Sequence, residues 1–261
     1  MAEQGKGLSG LSKGWAESLR ARLKSLLNGA PEAPLREQMY VRLAVQLELE
    51  RPAGQRAKVI VLTSPSSAAV IRDTALELSY TVAEELGRRV LLVDAEFGAR
   101  SARGAPATPG LSDLLVGGVS GLAAAAQATN HPRVHTLSAG TPETTAAALA
   151  AGRQAEVIEA MCAAYESVIV MASPVLLESR WLMLATLADH TLLMAVEGST
   201  HVSDLDASLR VLAECKAVGV GVLLTREPAP EPAHGPDRLV ESPGELPAVV
   251  SGTSLHSRTA P

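Results

Sequence analysis

The chain has 261 residues, 47% of them hydrophobic but only 2% aromatic, so a core of one sizeable α/β domain must be built from Ala, Val and Leu rather than rings. So few rings exclude platforms for stacking single-stranded bases. A net charge of −5 argues against a general nucleic-acid partner, because neutralising phosphates takes an excess of Lys and Arg.

Cys162 and Cys215 fit neither a zinc pattern nor a disulfide framework and read as buried, reduced thiols. The N-terminus lacks the apolar run of a signal peptide, and no stretch approaches the ~20 apolar residues of a membrane span. The expectation is a cytoplasmic protein whose membrane role, if any, is peripheral or through a partner.

Residues 1–34 form a leader in which Trp15, Leu19, Leu23, Leu26 and Leu27 recur at helical spacing, with Arg20, Arg22 and Lys24 around them. Such a helix suits a membrane surface, a partner or its own domain. Ala30-Pro31-Glu32-Ala33-Pro34 reads as a linker. The main domain is expected over 35–226 and starts with a helix over 35–50. Strands follow at 58–63, 89–94, 134–138, 168–171, 191–196 and 220–225. Helices are expected at 68–87, 111–116, 144–165, 179–187 and 203–215. Short β-branched runs alternating with amphipathic helices predict an α/β fold, a parallel sheet covered by helices on both faces. Residues 227–261 hold seven of the 16 prolines and read as a disordered tail.

In such a sheet the first strand–loop–helix turn is the natural phosphate site. Here it reads Thr63-Ser64-Pro65-Ser66-Ser67-Ala68-Ala69-Val70-Ile71-Arg72-Asp73, with no glycine. A phosphate loop needs glycines to turn successive N–H groups inward, together with a Lys and a Ser or Thr. The G-x-G-x-x-G of a dinucleotide fold is also missing. Ser64 and Ser66 read as caps of the following helix.

Several stretches, in order, resemble the bacterial tyrosine kinases that act with polysaccharide co-polymerases in capsule and exopolysaccharide export. They are Thr63-Ser64-Pro65, Arg89-Val90-Leu91-Leu92-Val93-Asp94, Gly110-Leu111-Ser112-Asp113-Leu114-Leu115, Leu137-Ser138-Ala139-Gly140-Thr141-Pro142 and Ser173-Pro174-Val175. The likeness covers about residues 36–226. It implies a P-loop NTPase-like fold of the deviant Walker, MinD/ParA type.

Laid on that family without gaps, Ala68, Ala69 and Val70 meet the Gly-rich stretch, and Ile71 meets the lysine. Arg72 and Asp73 meet the hydroxyl that holds Mg²⁺. Asp94 and Glu96 keep the acidic pair of the next strand, here taken as a solvated remnant. Met171 replaces the later aspartate, and Thr225-Arg226 the asparagine near the base pocket. The family's C-terminal tyrosine cluster is missing, since the tyrosines are Tyr40, Tyr80 and Tyr165. Glu37 and Arg42 partly echo a self-association helix, although Tyr40 and Leu43 stand where further arginines belong. His190 and His201 read as loop histidines.

The resemblance thus implies a catalytically inactive adaptor or regulator bound to a membrane co-polymerase or chain-length regulator, with homo-oligomers in view. No cofactor is expected; ATP and Mg²⁺ enter only if the altered loop still binds. Two alternatives stand beside it: a positioning pseudo-ATPase similar to MinD/ParA, and an active ATPase or tyrosine kinase with a rearranged loop.

Overall fold

The computed structural model describes residues 33–49, 57–97, 108–141, 147–148 and 152–225. The leader residues Trp15, Leu19, Arg20, Leu23 and Lys24, Arg226 and the proline-rich tail lie outside them.

Helix α1 (Ala33–Leu49) precedes β1 (Lys58–Thr63), α2 (Ala68–Glu85) and β2 (Val90–Ala95). There follow α3 (Leu111–Gly117), a 3-10 turn at Val119–Gly121, the one-turn α4 (Leu122–Ala125), β3 (Gln127–Ala128) and β4 (Val134–Leu137). The last third holds α5 (Gln154–Ala164), β5 (Ser167–Ala172), α6 (Leu182–Ala185), β6 (His190–Val196), α7 (Val202–Glu214) and β7 (Val220–Thr225).

The strands form one sheet in the order β3-β4-β2-β5-β1-β6-β7. All pair in parallel except β3, which adds a short antiparallel ribbon on β4 that its Gln-Ala sequence did not announce. Every residue of β1 and β2 is buried, as expected of strands covered on both sides. The period of two divides them. Ile60, Leu62, Leu92 and Ile169 pack with α1 and α2, while Val59, Val61, Leu91, Val93 and Val168 pack with α3 to α7. Helix α2 buries Ile71, Thr74, Ala75, Leu78, Ser79, Val82 and Ala83, the three-and-four spacing of a single face.

Two helices are shorter than expected. Gly152 has φ +67° just ahead of α5, so no helix runs through it. Before α6, the Glu178 carboxylate accepts the Arg180 N–H at 2.9 Å, a local bond that competes with helical hydrogen bonding.

Candidate functional site

Strand β1 lies between β5 and β6, and the chain leaves β1 toward β2 but leaves β5 toward β6. The loops after β1 and β5 therefore part at a topological switch point, where α/β sheets hold their ligands. Here the two loops are joined. The Val175 N–H donates to the Ser64 carbonyl at 2.8 Å and that of Leu176 to Pro65 at 3.3 Å. The Thr63 hydroxyl donates to the Ser173 carbonyl at 2.9 Å.

Residues 64–67 connect β1 to α2. The Ser64 hydroxyl donates to the Ser67 carbonyl at 2.7 Å and accepts the Ser67 N–H at 2.9 Å, closing the loop on itself. This corrects the expected capping role of Ser64 and Ser66. The N-cap is Ser67, whose own side chain makes no capping bond.

Ala68, Ala69 and Val70 are the first three residues of α2, and nothing between Ser64 and Asp73 has a positive φ. The strain a β-branched Val70 would suffer in a left-handed loop is avoided because the helix begins early. Ile71 is 1% exposed and belongs to the core with Ile60, Leu62 and Leu78. Asp73 is exposed, while Arg72 is half-buried and brings Nη2 to 3.3 Å from Glu96 Oε2. Met171, half-buried against the α1–α2 core, stands in register with both Leu62 and Asp94.

Asp94 and Glu96 are not a solvated pair: both are buried, and Asp94 Oδ1 accepts the Glu96 N–H at 2.9 Å. Sequence periodicity carries no sign of this, because the compensating Arg72 lies 24 positions away on another element. The Arg72 cation faces this internal carboxylate.

A second interlock sits at the same end of the sheet. The Leu111 and Ser112 N–H groups donate to the Ser138 and Ala139 carbonyls at 2.8 and 3.0 Å. Asp113 Oδ2 accepts the N–H of Gly110 and of Thr141, each at 2.9 Å, and the Ser112 hydroxyl donates to the Thr141 carbonyl at 3.0 Å. The Gly110-Leu111-Ser112-Asp113 and Leu137-Ser138-Ala139-Gly140 stretches are thus two halves of one joint. A methyl on Gly110 would strike the Ser138 carbonyl and hydroxyl, and Gly140 has φ +93°.

At the opposite end, Arg88 bridges Glu48 of α1 at 2.6 Å and Glu166 at 3.4 Å. Glu166 also accepts the Arg89 N–H at 3.0 Å; that bond first, then the Arg88 charge, holds its carboxyl below the usual range against a desolvation that raises it. Tyr165 lies beside His135, ring centroids 5.7 Å apart, and burial raises its phenol pKa while Arg89 opposes the rise. A cavity of about 440 Å³ lined by Arg89, Leu122, His135 and Tyr165 lies here, at the strand starts and away from the switch point.

The other expected residues fall as follows. Arg42 is exposed on α1, whereas Tyr40 and Leu43 turn inward, the Tyr40 hydroxyl reaching Thr74 Oγ1 at 3.4 Å. The backbone of Glu37 is helical. His190 is a strand residue rather than a loop one, its Nε2 3.3 Å from Lys58 Nζ, and His201 is the N-cap of α7. Both cysteines are free and half-buried rather than fully buried.

No protein-family model matches the chain. The tyrosine-protein kinase YwqD of Bacillus subtilis (strain 168) is 26% identical over 194 residues, 73% of this chain and 81% of that protein. The chain is thus similar to a bacterial tyrosine kinase over most of its length. Among solved structures, the BceF tyrosine kinase domain superposes with a TM-score of 0.58 at 24% identity, covering 74% of this chain and 76% of that one. The kinase domain of the Escherichia coli tyrosine kinase ETK gives 0.60 at 20%, covering 72% and 76%. These likenesses show the fold, a P-loop NTPase-like mostly parallel sheet. Among the described residues, no helix is long and apolar enough to cross a membrane.

Proposed function

We propose that this relative of the tyrosine kinases is a catalytically inactive adaptor or regulator in bacterial exopolysaccharide or capsule biosynthesis and export, acting with a membrane co-polymerase. The observation that carries the reading is the buried carboxylate Glu96 paired with the chain's own Arg72 where the kinases would face metal and phosphate.

The residues present do not fit a magnesium-bound nucleoside triphosphate. The position matched to the lysine holds a core isoleucine, Ile71, and the one matched to a metal-supporting carboxylate holds Met171. The loop has no left-handed residue with which to form a cradle of N–H groups, and its crevice is bridged by Val175 and Leu176. Phosphoryl transfer depends on positioning and charge stabilisation, so the joint loss of these groups removes the means of catalysis. An adaptor needs only the surface of the fold, which the interlocks at Ser64 and Asp113 hold without a ligand.

Two measurements test the two halves of the reading. A fluorescent ATP analogue is titrated with Mg²⁺ into the purified protein, with and without excess ADP; no competable binding is expected, and competable binding overturns the inactive site. Separately, the tagged chain is purified from its own cells' detergent-solubilised membranes. Failure to retain any polysaccharide co-polymerase sinks the adaptor role.

A further inference from the structure

We propose that the cleft at the strand starts binds a small carboxylate with an apolar body, its head held by Arg89, His135 and Tyr165. At about 440 Å³ the cleft falls within the usual range of small-molecule sites, about 300–1,000 Å³. It lies at the opposite end of the sheet from the loops after β1 and β5. Its test therefore stands whether or not the chain is an inactive adaptor.

Small residues make the room. Helix α5 ends in Ala163-Ala164, with Ala160 one turn earlier, and these three methyls line the cleft together with Leu122 of α4. The sheet supplies the polar end. His135 is the register partner of Leu91, and Arg89 stands two residues before Leu91, so the period of two sets both on the same face. The Tyr165 ring meets His135 nearly edge-on, centroids 5.7 Å apart.

These three side chains offer donors. Arg89 Nε lies 3.8 Å from Glu166 Oε2, and among the described residues its Nη groups make no hydrogen bond within the chain. Glu166 is already engaged by Arg88 and by the Arg89 N–H. The Tyr165 hydroxyl has no hydrogen-bond partner within the chain either, and burial favours its protonated form. His135 Nδ1 is sealed from solvent with no partner. An orphaned buried N–H is rarer than an orphaned lone pair, which assigns the ring proton to Nε2. One cation and two neutral donors, with no carboxylate among the described lining residues, select an acceptor-rich anionic head. The alanine and leucine walls select an apolar body.

Octanoate and its neutral counterpart 1-octanol test this. Each is titrated into the full-length protein by calorimetry, with the tyrosine ring resonances followed by NMR. Tyr165 is one of three tyrosines, and Tyr165→Phe identifies its signal. Octanoate should saturate a single site, shift the Tyr165 ring and bind at least about tenfold tighter than octanol. Arg89→Gln should weaken octanoate about tenfold and leave octanol unchanged. Tyr165→Phe should weaken octanoate about threefold or more. Ala163→Phe, at an exposed helical position, should block both ligands while circular dichroism stays unchanged. Absence of saturable octanoate binding overturns the proposal. So does octanol binding as tightly as octanoate, or octanoate binding that ignores Ala163→Phe. Should Arg89→Gln fail to fold, Tyr165→Phe decides: a preference for octanoate left undiminished by it also overturns the proposal.

Discussion

Arg72 and Ile71, adjacent in sequence, meet opposite environments. Ile71 is sealed in the core beneath the sheet, so Ile71→Lys should not revive a phosphate site. It should bury an unpaired amine and cost about 3 kcal/mol, read as a lowered denaturation midpoint. A variant that instead kept its stability and gained nucleotide binding would require α2 to start later than it does. Arg72→Ala should cost about 1–2 kcal/mol, because a buried carboxylate loses a charged partner. Adding Glu96→Gln should recover much of that loss, and a double-mutant cycle returns the coupling. Glu166 predicts a pH effect. Its folded pKa lies below the ordinary 4.5, so its stabilisation is complete above that value and is lost as pH falls through the lower folded one. Glu166→Gln should flatten the loss of stability below about pH 4.5. An unchanged acid limb assigns that loss to other carboxylates, such as Glu178, which Arg180 depresses in the same direction.

At the scale of elements, the joint between the Gly110 and Ser138 stretches has the clearest consequence. Gly110→Ala forces a methyl into backbone and hydroxyl atoms that cannot yield separately, and should cost about 2–3 kcal/mol. Gly117→Ala, where a methyl meets nothing within 4 Å, is the control and should be near neutral. The same joint shows what the sequence made legible. The kinase-like stretches were visible as words, but that two of them clasp through Asp113 was not, because their partners lie 28 positions apart. Strands 58–63 and 220–225 could be placed to the residue from their β-branched runs. Gln127–Ala128 could not, since its pairing depends only on what β4 offers. The residues of the loop were legible as identities. Their surroundings were not: whether Asp94 and Glu96 meet water or an arginine is decided by α2, whose early start no pattern at the loop announces.

For the whole molecule, the proposed inactive site predicts indifference to nucleotide, since the loop after β1 is closed by its own hydrogen bonds. A ligand that binds only the native state raises stability by about 2.7 kcal/mol at a hundredfold excess over its Kd. Thermal unfolding of this chain should therefore not move in millimolar Mg²⁺ and ATP, and a reproducible rise in Tm would count against the proposed inactive site. The strand order also bears on how the chain is made. β1 is an interior strand, yet its neighbours begin at Ser167 and His190, some hundred residues downstream. At about 5–20 residues per second of synthesis, the run Lys58–Thr63 waits roughly 5–20 s before a neighbour even exists. During that interval six residues destined for complete burial leave the ribosome with no strand to pair with, so the chain's yield in a cell should depend more on holdase chaperones than its final stability would indicate.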